Sequence, residues 1–131
     1  MKEEGKKYIH QATEVKEFND KLQSVGIFQQ AADVFKFGVS VALALNPNVK
    51  INEDLKEKIK KTNGGKNVGQ INTIDSTEEL RQMIRDLEKK PSENVEIRFE
   101  ELGNWGLLQV KENLLDDDEY IDWEKIKKSI K

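Results

Sequence analysis

Cysteine is absent and histidine occurs once, which closes disulfide frameworks, thiolate nucleophiles and the usual His/Cys metal sets to this chain. The single histidine, His10, has no local partner for acid/base work, and its ordinary fate is an exposed or half-buried polar side chain. Proline is scarce: Pro47 and Pro91 each follow a helical pattern and mark its end. Long hydrophobic runs are missing too. The uncharged stretch from Phe37 to Val49 is too short to cross a bilayer, which takes about 20 apolar residues, so no membrane is expected as a partner. The first residues, MKEEGKKYIHQATEVKEF, carry no apolar segment of a secretory leader, and the expected location is the cytoplasm.

Charge is what the chain has in quantity: 36% of its 131 residues are Asp, Glu, Lys or Arg, as many as are apolar. The net charge of -3 hides an asymmetry, because residues 1–70 carry 12 lysines against 9 acids, while 71–131 carry 16 acids against 10 bases. A polyanion would therefore meet the N-terminal half, and a large sequence-independent affinity for nucleic acid is not expected of the whole.

Residues 1–12 read either as a flexible lead-in or as a short strand, with Lys6, Tyr8 and His10 alternating with Lys7, Ile9 and Gln11. Val15, Phe18, Leu22 and Val25 then recur at helical steps, with Thr13 as the expected N-cap and Gly26 as the stop. The stretch FQQAADVFKFGVSVALALN, residues 28–46, is apolar nearly all round and contains the small residues Gly38, Ser40, Ala42 and Ala44. It predicts a central helix closely approached by another backbone, in the same chain or in a homodimer. NEDLKEKIKK (52–61) predicts a short surface helix with Leu55 and Ile59 inward. Residues 62–75, rich in Gly and Asn, predict a flexible loop with room for a short strand at 68–74. STEE at 76–79 has the form of a capping box, in which Ser76 and Glu79 satisfy each other's amides, followed by Leu80, Met83, Ile84 and Leu87. Residues 93–115 fit both periods: Val95, Ile97 and Phe99 alternate as in a strand, while Val95, Phe99, Leu102, Gly106 and Val110 fit a helix, and a helix is expected. A C-terminal helix follows DDDE, capped by Asp118 or Asp122, with Trp123, Ile126 and Ile130 inward. The expected fold is thus a single mainly α domain spanning 1–131, with about five helices around 28–46.

No motif demands catalysis. NGGKNVG lacks the Gly-Lys-Ser/Thr ending of a phosphate-binding loop, although Lys66 can still meet a phosphate. DDDE lacks the spaced ligands of a calcium loop, and adjacent carboxylates such as Glu100 and Glu101 point to different sides of a helix. No catalytic residue, metal or cofactor is therefore expected. The rival from another class, a small enzyme or nuclease component, is opposed by the absence of Cys, of a second His and of a ligand-spaced acidic cluster, and two binding readings stand. Strand, helix, link, helix is the order of a ribbon-helix-helix unit, whose paired strands enter the DNA major groove; Lys6, Lys7, Tyr8, His10 and Lys66 are the candidate DNA contacts. Trp105 and Trp123, each in a polar neighbourhood, are candidate anchors for a partner protein, against the commoner fate of core packing.

The helix with Val15 and Phe18, the stretch FQQAADVFKFGVSVALALN and the later FEELGNWGLLQVKENL (99–114) together resemble the DNA-phosphorothioation-associated protein 4 family, small accessory proteins found beside bacterial sulfur-modification and restriction genes. ELGNWG at 101–106 is similar to that family's Ala-Asn-Gly-Gly helix, with Leu102-Gly103 and Trp105 where small residues and a second glycine are expected. The resemblance implies a non-enzymatic accessory protein in bacterial phage defence, bound to DNA or to another protein of the same system.

Overall fold

A computed structural model of the chain describes residues 8–61, 67–90 and 94–130. In chain order these form β1 (Tyr8–His10), α1 (Thr13–Ser24), α2 (Ala31–Leu45), α3 (Glu53–Lys60), β2 (Asn67–Gln70), α4 (Ile71–Ile74), α5 (Glu79–Leu87), α6 (Val95–Asn113) and α7 (Trp123–Ser129). The fold is mainly helical, and the 93–99 ambiguity resolves to helix: Asn94 caps α6 by accepting from the Ile97 amide at 3.1 Å. The helical period wins because Val95, Phe99, Leu102 and Val110 then all face the core.

The pair α2 and α6 is the centre of the molecule. Phe35 of α2 and Phe99 of α6 are fully buried with ring centroids 5.7 Å apart, among Val34, Val39, Leu102, Leu107 and Val110. Three glycines permit this packing. A Cβ added to Gly38 would lie 2.7 Å from the Gly103 carbonyl oxygen; one on Gly103 would run into the Phe35 ring; one on Gly106 would run into the Gly38 carbonyl. The close approach anticipated for residues 28–46 is therefore made within the chain. Burial is less complete than expected, since Ser40 and Ala44 are exposed and the helix begins only at Ala31.

The strand expected near residue 8 forms, but its partner is β2 of the same chain, antiparallel, with Tyr8 opposite Gln70 and Ile9 opposite Gly69. Residues 67–74, expected as loop or strand, divide into β2 and the single turn α4; residues 62–66 lie outside the described residues. Capping also departs from expectation in two places. Thr13 is the first residue of α1 and not its cap, and the Ala12 amide ahead of it donates to Asn104 Oδ1 at 2.9 Å. Ser76 does not cap α5; Asp75 does, accepting from the Leu80 amide at 3.2 Å and the Arg81 amide at 3.1 Å. Arg81 returns the contact, its Nε at 3.0 Å from the Asp75 carboxylate and its Nη2 donating to the Asp75 carbonyl, which gives a buried charge pair a full set of partners. At α7, Asp122 is the cap, accepting from Lys125 N at 3.1 Å. Among the described residues no helix is long and apolar enough to cross a membrane.

Candidate partner-docking surface

Helix α2 turns Val34, Phe35, Gly38 and Val39 to the interior, which leaves Phe37 on its flank, half-buried. Gly26, at φ 83°, ends α1 in the left-handed conformation that glycine adopts without steric cost, and the chain then crosses to α2 through Ile27 and Phe28. Phe28 lands on Phe37, with ring centroids 5.3 Å apart, and Trp123 meets the same ring from α7 at 5.5 Å in an edge-on arrangement. The three rings form a step whose outermost member, Trp123, is 54% exposed, and Val25 and Ile27 beside Phe28 are exposed as well.

The position of Trp123 is set by the segment before it. After α6, Leu115 and Ile121 form an antiparallel bridge around a tight turn in which Asp116 Oδ1 accepts from the amides of Asp118 at 2.9 Å and Tyr120 at 3.0 Å. Lys125 Nζ reaches back to the Leu115 carbonyl at 2.8 Å. Glu119 pairs with Lys21 at 3.1 Å, fastening the turn to the last turn of α1. Trp123 and Ile130 were expected to face inward with Ile126; only Ile126 does. Helical spacing alone put all three on one face, but a seven-residue helix lying on the surface at its Ile126 side leaves Trp123 to rest on Phe37 with its far side in water.

Trp105 behaves differently. It is half-buried on α6, packs against the core, and lines a cleft of about 190 Å³ with Glu14, Asp54, Leu55 and Lys58. Lys58 is held above its ordinary pKa by hydrogen bonds to Asp54 and then Glu14, so this cleft is an ion-paired surface. The two tryptophans thus separate: Trp105 is a packing residue and Trp123 an open one.

The candidate DNA contacts do not form one described surface. Lys6, Lys7 and Lys66 lie outside the described residues. Tyr8 is exposed, its hydroxyl accepting from Gln70 Nε2 at 3.2 Å. His10 is instead drawn against α6: its amide donates to Glu100 Oε2 at 2.8 Å, its carbonyl accepts from Asn104 Nδ2 at 3.0 Å, and its ring nitrogen Nδ1 lies 3.6 Å from Glu100, leaving the side chain 16% exposed. In a ribbon the strand would pair with a second copy; here one edge holds β2 and the backbone of His10 is occupied by α6 side chains.

That tether is what reading the sequence missed. Glu100 and Asn104 are i and i+4 on the buried side of α6, and Asn104 is fully buried while bonding Ala12 N, His10 O and Glu100 O. The available signal was two polar residues placed among the core positions Phe99, Leu102 and Gly103. A second buried amide, Asn19, bonds Gln11 at 2.8 Å and the Ala31 carbonyl at 3.1 Å, joining the β1–α1 link to the start of α2. Among the described residues no group of three or more His, Cys, Asp or Glu side chains could hold a metal ion. No family model, curated protein or solved structure matches the chain.

Proposed function

We propose that this chain is a non-enzymatic accessory protein of a bacterial DNA-modification or restriction system, and that it works by holding another protein of that system on the aromatic step Phe28–Phe37–Trp123. The observation that carries the reading is Trp123, more than half exposed on a base of two further aromatic rings. An exposed tryptophan on a preformed apolar base is the kind of residue that dominates protein interfaces. The setting in phage defence is supported by the likeness of 28–46 and 99–114 to the DNA-phosphorothioation-associated protein 4 family.

The test is affinity capture of the tagged chain from its native host, comparing the parent with Trp123→Ala. The expected result is one stoichiometric protein, encoded beside sulfur-modification or restriction genes, recovered by the parent and lost from the variant. Equal recovery from both would remove the step as the docking surface, and a partner unconnected with DNA modification would remove the setting.

DNA contact through the N-terminal lysines is the second reading, favoured by the exposure of Tyr8 next to Lys6 and Lys7 in the sequence. It predicts a salt-sensitive gel shift that disappears when Lys6→Glu and Lys7→Glu are combined. An undiminished shift in that double variant would end it.

A further inference from the structure

We infer that the partner held on the aromatic step presents an apolar anchor flanked by lysine or arginine, and that the carboxylates of the 116–124 segment are the electrostatic half of the docking site. The inference rests on the docking reading above and adds the chemistry of the occupant.

From Asp116 to Glu124 the chain carries six carboxylates and no base. They divide by what they do. Asp116 and Asp122 are spent on the backbone, the first shaping the turn and the second capping α7, so together they aim Trp123. Glu119 is paired with Lys21 and anchors the turn beside the end of α1, from which Val25 and Ile27 continue. Asp117, Asp118 and Glu124 remain, all exposed and without an ion-pair partner among the described residues. Two of them sit on a turn held by four backbone or side-chain hydrogen bonds within 116–120, and the third is the neighbour of Trp123. The nearest base of α7, Lys125, is withdrawn to the Leu115 carbonyl. Lys127 and Lys128 follow Glu124 by three and four residues in the last turn of α7, exposed and not ion-paired with it.

Charge decides between occupants. A nucleic acid would bring phosphates against this edge and be repelled. A second copy related by a two-fold axis through the step would set the same carboxylates against one another. A protein segment with an apolar side chain for the ring step and basic side chains at the 117–118 edge gains both terms. Its attraction would show mainly in the association rate and would fade with salt, because exposed charges are screened beyond about 8 Å at physiological ionic strength.

The probes are three labelled synthetic peptides with one shared helical stripe of Leu and Phe, their flanking positions filled with Lys and Arg, with Ser and Gln, or with Glu and Asp. Anisotropy titrations with the full chain should rank basic above neutral by about tenfold at low salt, with no binding of the acidic peptide. Combining Asp117→Asn, Asp118→Asn and Glu124→Gln should remove the basic peptide's advantage and leave the neutral one's affinity unchanged. Lys127→Glu with Lys128→Glu should not weaken the basic peptide. Equal affinity for basic and neutral peptides, or an advantage that survives the triple neutralisation, overturns the inference. If those equal affinities are both lost in Trp123→Ala, the charge component alone falls and the docking surface stands. Binding by none of the peptides, or a dimer in sedimentation that Trp123→Ala dissolves, also overturns it, and the capture experiment then judges the docking surface separately.

Discussion

Trp105 and Trp123 differ in burial, and the difference is measurable without a partner. Trp105 packs on the core from α6, so Trp105→Ala should cost about 2 kcal/mol of stability, seen as a lowered thermal midpoint. Trp123 is 54% exposed and keeps one ring contact, with Phe37, so Trp123→Ala should cost less, about 1 kcal/mol. A large loss in Trp123→Ala would mean that the step is core and not interface. Glu101 adds a pH signature at the same scale. Burial pushes its carboxyl above the ordinary value of 4.5, opposed by Lys56 and Arg98. A raised folded-state pKa means that the folded chain holds this proton more tightly than the unfolded one. Stability is therefore lost as pH rises from the unfolded value through the folded one. Glu101→Gln should flatten that part of the curve in denaturant titrations taken from acid to neutral pH, leaving the variant relatively more stable at neutrality. A curve of unchanged slope would show that the carboxyl is not perturbed.

At the scale of elements, the helices were legible where apolar spacing repeats with one period, as in Val15, Phe18 and Leu22 of α1 or Leu55 and Ile59 of α3, because burial of one face is what stabilises them. Capping was less legible, since it is a competition between neighbours that tertiary contacts decide. The Ser76 capping box is a sound local solution, yet Asp75 displaces it because the Arg81 guanidinium, 4% exposed, brings the charge that a buried carboxylate requires. Asp75→Ala should thus cost about 3 to 5 kcal/mol by stranding Arg81, while Ser76→Ala should be nearly silent. Chemical denaturation of the two variants decides it, and the reverse order would restore the capping box. The glycines of ELGNWG were legible only as ambiguity, because a residue's absence of side chain shows its purpose when the opposing backbone is known. Gly106→Ala forces a Cβ into the Gly38 carbonyl, and separation of α2 from α6 should lower stability by about 3 kcal/mol. The aromatic step itself was half visible. Trp123 was marked by its polar surroundings, but Phe28 and Phe37 lay hidden in a run that is apolar nearly all round, and only the fold shows which of its flanks is open.

For the molecule as a whole, the closing contacts are polar and join segments that lie 90 or more residues apart. Glu100 and Asn104 hold His10 and Ala12 across separations of 90 and 92 residues, and Asn19 fastens the link between them to α2. Each buried amide or carboxylate in this set has its partners inside the protein, so removing one side leaves the other desolvated and unpaired, at about 1 to 3 kcal/mol for each lost contact. The tether should therefore couple β1 to the central helix pair, since unfolding of α6 would leave the strand with β2 as its remaining backbone partner. In the Trp123→Phe background, where Trp105 of α6 is the sole tryptophan, thermal unfolding followed by its fluorescence should coincide with that followed by far-ultraviolet circular dichroism. Asn104→Ala should shift both transitions to lower temperature together, by several degrees. A variant in which the fluorescence transition stays in place while part of the dichroism is lost earlier would show that the N-terminal strand melts independently, and the tether would then be a local fastening and not what closes the fold.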